Sequence, residues 1–264
     1  EPDHSGGFLK FMKDYPDAKP YASNAGVGIM LKQYFKNYDF QKVKTGDTLS
    51  TGRYTLTFVE MPMIHWPDNM LTYVAEQKIA FSNDAFGQHI ASYDIFDDAH
   101  GAAKCIDRAK DYYANIVMPY GMQVANKLKQ IRDMNLDIDM IAPAHGVIWR
   151  SYIPELLQAY EEFATFQSVD KAVIVYESVW KHTQMMAEAL AEGMGRNGVC
   201  VKIFKCSMTS PAIIQKELLD AKAILVGSGN YNNAMSGSIA AFLEKLISCK
   251  VKNKKGLGFG SYGW

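Results

Sequence analysis

Glu1, Asp3, His4, His65, Asp84 and His145 are three carboxylates and three imidazoles, a set that could hold metal ions if the fold brings it together. Each residue also has an ordinary reading. Asp3 and His4 could cap the helix that follows, Asp84 could serve a turn, and His145 could be a core histidine. Their neighbourhoods favour the set. His65 follows the strand-like run Tyr54–Glu60, within Met63-Ile64-His65-Trp66-Pro67. Asp84 follows the run Lys78–Ser82, and His145 follows the apolar pair Met140-Ile141 within Ala142-Pro143-Ala144-His145-Gly146. All three lie where a strand gives way to a loop, the place from which rigid elements aim ligands.

A second group of candidates occupies three loops. The first is Glu177-Ser178-Val179-Trp180-Lys181-His182-Thr183, where the hydroxyls of Ser178 and Thr183 and the free N–H groups of a helix start could cradle a phosphate. An ordinary Ser/Thr helix cap explains the same residues. The second is Ser228-Gly229-Asn230-Tyr231-Asn232-Asn233, whose small residues allow close approach of a ring and whose amides could reach its polar edges. A polar turn is the ordinary alternative. The third, Ser261-Tyr262-Gly263-Trp264, offers aromatic faces for stacking.

The elements that must position these residues have two grammars, meeting near residue 168. Residues 1–168 mix the strand-like runs with helical ones such as Gln123–Met134 and Ile153–Phe166. Residues 169–264 alternate strand and helix. The predicted strands are Ala172–Tyr176, Val199–Lys205, Ala223–Gly227 and Gly256–Gly260; the predicted helices are Thr183–Met194, Pro211–Asp220 and Ser236–Ile247. Short apolar runs alternating with helices imply a doubly wound parallel sheet, and all three candidate loops then fall beyond the carboxyl ends of its strands, where ligands bind.

The three loops and their spacing resemble the flavodoxin family over about residues 169–264, which implies that they hold FMN. Lys181 stands where flavodoxin phosphate loops usually place Gly or another small residue. Residues 1–168 resemble the metallo-β-lactamase fold, an αββα sandwich with a two-metal site. Its hydrolases usually carry His-x-His-x-Asp-His. Here Glu1 fills the position of the second histidine, so the run reads Glu-x-Asp-His, the form that marks flavodiiron proteins. The phrases His65-Trp66-Pro67-Asp68 and Phe81-Ser82-Asn83-Asp84-Ala85-Phe86-Gly87 are similar to that family too, as is a flavodoxin-like domain directly after a lactamase-like one. The resemblance implies an oxidoreductase passing electrons from FMN to two iron ions that reduce O2 to water and/or NO to N2O. Glu1 and His65 would hold the iron nearer the flavin and Asp3 and His145 the other, with His4 a further candidate, Asp84 bridging the pair and His89 a supporting or structural residue. Ligands of imidazole and carboxylate without thiolate suit iron or manganese.

The family further implies an electron donor such as rubredoxin, a flavoprotein reductase or reduced deazaflavin, and a head-to-tail homodimer or a dimer of such dimers, in the cytoplasm. The chain opens in mid-motif without a methionine and ends after four strands of a sheet that normally has about five. The expectation is a central stretch of a longer polypeptide, lacking the opening strands of the first domain and the closing part of the second.

Composition bounds the alternatives. Lys+Arg and Asp+Glu number 28 each, so the formal net charge is zero and a nucleic-acid surface is not expected. No apolar run has the length of a membrane helix. Cys105, Cys200, Cys206 and Cys249 show no CxxC spacing, which argues against zinc knuckles, iron–sulfur clusters and a disulfide framework. Two competing readings are a two-zinc hydrolase of the lactamase class fused to a flavodoxin-like domain, and a plain electron-transfer module with a structural first domain. Glu1 and a flavin without a task in hydrolysis oppose the first; the retained ligand set opposes the second.

Overall fold

In the computed structural model, residues 1–34 and 38–263 are described. They fall into two units, Glu1–Tyr112 with Met122–Glu161, and Tyr113–Gly121 with the residues from Glu162 onward.

The first unit begins with helices α1 (Pro2–Ser5) and α2 (Phe8–Asp14), strand β1 (Tyr21–Ala22), helix α3 (Asn24–Tyr34) and strand β2 (Gln41–Lys42), which pairs with β1 in parallel. Its main sheet has the order β3 (Thr48–Ser50), β4 (Thr55–Glu60), β5 (Met70–Val74), β6 (Ile79–Asn83) and β7 (Met140–Pro143). The first four run antiparallel to their neighbours, and β7 joins β6 in parallel. A parallel partner requires a crossover, and helices α4 (Ala102–Tyr112) and α5 (Gly121–Asp133) lie in it. Lys78, expected to open a strand, instead closes a tight turn over Ala75–Gln77 in the left-handed conformation (φ 53°) and reverses β5 into β6. The register of β6 against β7 shifts between Phe81 and Asn83, an irregularity that ends the strand one residue before Asp84. Helix α6 (Ile153–Thr165) follows β7. Its entry is fixed by Asp97, a fully buried carboxylate that accepts the N–H groups of Arg150, Ser151 and Tyr152 at 2.9–3.2 Å.

The second unit is the expected doubly wound sheet, built from β8 (Lys171–Glu177), α7 (His182–Gly195), β9 (Cys200–Lys205), α8 (Pro211–Leu219), β10 (Ala223–Gly229), α9 (Gly237–Ser248) and β11 (Lys255–Ser261). All four strands are parallel, in the order β11-β10-β8-β9. β8 is buried on both sides because alternate residues feed different cores. Val173 and Val175 pack with Ile214 and Leu218 of α8 and Ile239 and Phe242 of α9, while Ala172, Ile174 and Tyr176 pack with Ala187 of α7. That two-sided burial is why the run Ala172–Tyr176 is apolar without alternation. β10 extends two residues beyond its expected end and β11 one, so Ser228, Gly229 and Ser261 belong to strands rather than loops. No helix among the described residues is long and apolar enough to cross a membrane.

Candidate functional site

The structure brings all six candidate metal ligands of the first unit together, in two groups: Asp3, His4 and His145, and Glu1, His65 and Asp84. One ligand atom from each member lies within 4.8 Å of the others of its group. Asp84, 1% exposed, joins the groups. Its Oδ1 lies 2.8 Å from His4 Nε2 and 3.3 Å from His145 Nε2, and its Oδ2 lies 3.5 Å from His65 Nε2. His65 Nε2 is also 3.5 Å from Glu1 Oε2, and Asp3 is 3.5 Å from both His4 and His145. Despite the short approach of His4, neither oxygen of Asp84 receives a hydrogen bond of acceptable geometry, and Glu1 Oε2 is likewise buried without one. Buried carboxylate oxygens left without donors are costly unless a cation satisfies them. Imidazole nitrogens and carboxylate oxygens facing one another around such orphaned atoms fit a pair of metal ions, and the absence of thiolates from both groups suits iron or manganese.

Amide side chains that the sequence reading does not single out hold these ligands in place. Gln88 is fully buried; its Nε2 donates to Val147 O and its Oε1 accepts from Val147 N at 2.8 and 2.7 Å, while its own N–H donates to His145 O. Asn69 donates to Ile64 O, beside His65, and its Oδ1 accepts from Asn83, beside Asp84. Met63 and Phe86 hold positive φ (65° and 68°), so the His65 and Asp84 loops concentrate backbone strain of about 1–3 kcal/mol at each, whereas Asn83 (55°) adopts it readily. Strain of that kind persists where packing and amide clamps overdetermine the chain. Tyr112 packs beside the centre, its ring 6.1 Å from that of His145, and burial together with the carboxylates of Asp84, Glu1 and Asp3 pushes its phenol well above the usual range. His89 stands edge-on to Tyr112 at 5.1 Å and belongs to neither ligand group.

In the second unit the three candidate loops line one cleft of about 410 Å³, within the range of small-molecule sites. Ser178, Val179, Trp180, His182, Thr183, Gly229, Asn230, Tyr231, Asn232, Asn233, Ser261, Tyr262 and Gly263 face it, with Glu177 and Ser236 in addition. Two expected residues do not. Lys181 holds φ 68° at the N-cap of α7, a conformation natural to Gly, and its side chain is exposed outside the cleft. Ser228 uses its hydroxyl internally, bonding Gly229 O and accepting from Ser236 N. Trp264 lies outside the described residues. Asn232 and Asn233 (φ 49° and 60°) form the tight reversal between Tyr231 and Ala234, whose backbones bond each other, so their amides are presented by a turn that only such residues make readily. Thr183 is 1% exposed and shares a 2.9 Å hydrogen bond with Ser261, tying the start of α7 to the end of β11. No side chain caps the N-terminus of α7. Uncapped N–H groups beside a hydroxyl suit a phosphate, and Trp180 and Tyr262, 81% and 84% exposed, offer faces to a flat ring.

Fold and site together define a lactamase-like metal domain followed by a flavodoxin. Residues 1–146 match the family model described as ODP family beta lactamase, and residues 174–264 match that of flavodoxin. The nitric oxide reductase of Moorella thermoacetica is 44% identical over all of this chain and 66% of its own length. The anaerobic nitric oxide reductase flavorubredoxin of Vibrio vulnificus is 37% identical, again over all of this chain and 54% of its own. Among solved structures, rubredoxin oxygen:oxidoreductase from Desulfovibrio gigas superposes with a TM-score of 0.96 at 36% identity, over 100% of this chain and 67% of that one. The chain belongs to the ODP family of β-lactamase-like domains and, with the flavodoxin that follows, to the flavodiiron proteins. It spans between about half and two thirds of the length of these relatives.

Proposed function

We propose that this chain carries the redox core of an oxygen and/or nitric oxide reductase, in which FMN passes electrons to a non-haem di-iron site. The observation that carries this reading is Asp84, a buried carboxylate whose two oxygens face different ligand groups and receive no hydrogen bond. In this reading residues 1–168 form the metal domain and residues 169–264 the flavin domain. Glu1 and His65 would hold one iron and Asp3 and His145 the other, with His4 a further candidate and Asp84 the carboxylate shared by both groups. Bound FMN would supply single electrons, and the iron pair would supply the positions at which O2 is reduced to water or NO to N2O. The chain's own residues bind and orient. Gln88 and Asn69 fix the His145 and His65 loops, Ser178, Thr183 and the start of α7 hold the phosphate, and Trp180, Asn230, Tyr231 and Tyr262 bound the ring. Relatives named as nitric oxide reductases and as a rubredoxin oxygen:oxidoreductase support both gases as substrates and rubredoxin as electron donor; a flavoprotein reductase or reduced deazaflavin is the donor the family resemblance offers in its place. A cytoplasmic location is the one that the resemblance to the flavodiiron proteins implies. Metal analysis and a flavin spectrum on the natural protein, followed by anaerobic turnover with each gas, test the reading. A protein that holds zinc and no flavin, or turns over neither gas with both cofactors loaded, excludes it.

Replacing Ser178 and Thr183 together with Ala is expected to weaken FMN binding, since hydrogen bonds to a charged phosphate are worth about 1.5–3 kcal/mol each. The Thr183–Ser261 link is lost with them. Flavin retention after dialysis is the measurement; full retention would reduce the loop to a helix cap.

The assembly proposed is a head-to-tail homodimer, or a dimer of such dimers, that brings the flavin of one subunit to the metals of its partner. Mixing a flavin-deficient variant with a metal-deficient one should restore partial turnover through hybrid dimers. Exchanged subunits with no activity, or a dilute monomer at full rate, would refute the cross-subunit route.

A further inference from the structure

The loop that would hold the FMN phosphate begins at a carboxylate, Glu177. Glu177 ends β8 and lines the cleft, with its side chain 13% exposed. Its Oε1 accepts the N–H of Ser178 at 3.1 Å and lies 3.7 Å from Lys205 Nζ. Its Oε2 accepts the N–H of Ser207 at 3.0 Å and the hydroxyl of Ser238 at 3.2 Å. These partners belong to the cleft loop itself and to two segments distant in sequence. Ser178 opens the cleft loop, Ser207 sits in the short turn Cys206–Met208 after β9, and Ser238 lies in the first turn of α9.

A carboxylate beside an anion site repels the anion unless donors neutralise it. Here both oxygens are occupied by groups of the protein. Burial pushes the Glu177 carboxyl up, but the bonds from Ser207, Ser178 and Ser238 outweigh it and hold the group below the usual carboxylate range. A helix cap or a turn would need one such bond; three converging elements indicate a clamp.

We propose that Glu177 is a positioning residue for the FMN phosphate, fixing residues 178–183 in their binding conformation by joining Ser178, Ser207 and Ser238 through one carboxylate. This rests on the flavin reading above. A glutamine at 177 keeps the length of the side chain but must turn its NH2 group toward one of the two backbone donors, Ser178 N–H or Ser207 N–H, so the clamp opens on one side. Because the loop it holds meets the phosphate, the effect should fall on FMN and largely spare riboflavin, which lacks that group.

The test uses the natural protein stripped of flavin and titrated with FMN and with riboflavin, followed by fluorescence quenching. Glu177→Gln is expected to raise the dissociation constant for FMN at least about tenfold and that for riboflavin by less than about threefold, with thermal midpoint and iron content nearly unchanged. Ser238→Ala removes a donor that does not itself line the cleft, and should reproduce the same preference with a smaller loss. If Glu177→Gln does not fold, Ser238→Ala decides alone. Equal losses for both flavins, or unaltered FMN affinity in the folded variants, would overturn the positioning role while leaving the flavin reading intact. Failure of the unaltered protein to bind FMN would overturn that reading, and this proposal with it.

Discussion

Asp84→Ala is expected to abolish gas reduction and empty both ligand groups, while FMN stays bound. Asp84 is the one residue among the six candidates whose two oxygens face different groups, at 2.8–3.5 Å from three imidazoles. Loss of a residue that merely supports a ligand typically costs 10–100-fold in metal affinity or activity, so loss of a shared ligand should cost at least about 100-fold. The same substitution should change sign with metal content. In chelated protein the buried, undonated carboxylate is a burden of about 1–3 kcal/mol, and its removal should leave the melting temperature unchanged or raise it. In loaded protein removal discards the bridge, and the melting temperature should fall. Iron per chain, flavin absorbance and two melting curves read all of this. A variant that keeps both irons and full turnover excludes the bridging assignment, and one that loses FMN as well shows that the substitution has acted on more than the metal centre.

The fold was most legible where one physical cause dominates. β8 and β10 are buried parallel strands, so Ala172–Tyr176 and Ala223–Gly227 read as short apolar runs between helices. The residues that the fold gathers into the two groups were legible as candidates because Glu1, Asp3 and His4 are close in the chain and His65, Asp84 and His145 each follow a strand. β5 was harder. Met70–Val74 carries a Thr at its centre, and its pairing with β4 on one side and β6 on the other decides its state. The supports of the centre were not legible, since Gln88 acts on the backbone of Val147, distant in sequence, and Asn83 reaches Ile64 O only through the side chain of Asn69. Nothing in a lone amide distinguishes a buried clamp from a loop residue. In the cleft, spacing located the loops but could not separate Lys181, turned outward at the helix cap, from the residues that face inward. Nor could it show that Ser228 spends its hydroxyl on its own turn, or that Glu177 reaches Ser207 and Ser238.

Gly146→Ala is expected to unfasten the His145 loop. Gly146 holds φ 88°, in the left-handed region, where a Cβ costs roughly 1–2 kcal/mol before any contact is considered. A Cβ placed there would stand 1.5 Å from Gln88 Oε1 and 2.2 Å from Gln88 O. One of these atoms is backbone, so moving the amide alone cannot relieve the clash. If Gln88 shifts, both of its bonds to Val147 weaken, at about 1 kcal/mol each, and so does its N–H bond to His145 O. With overpacking included, a loss of about 5–8 kcal/mol follows, a large part of the stability of an ordinary domain. Occupancy of the Asp3–His4–His145 group should fall before the protein unfolds, because His145 is the ligand carried by the displaced loop. Gly193→Ala is the control. Gly193 lies inside helix α7 with nothing within 4 Å of a new Cβ, so that change should stabilise by about 0.5–1 kcal/mol. Denaturant unfolding with iron analysis at each step separates the two. If Gly146→Ala unfolds at the unaltered midpoint with full iron content, the Gln88 clamp does not set the position of His145.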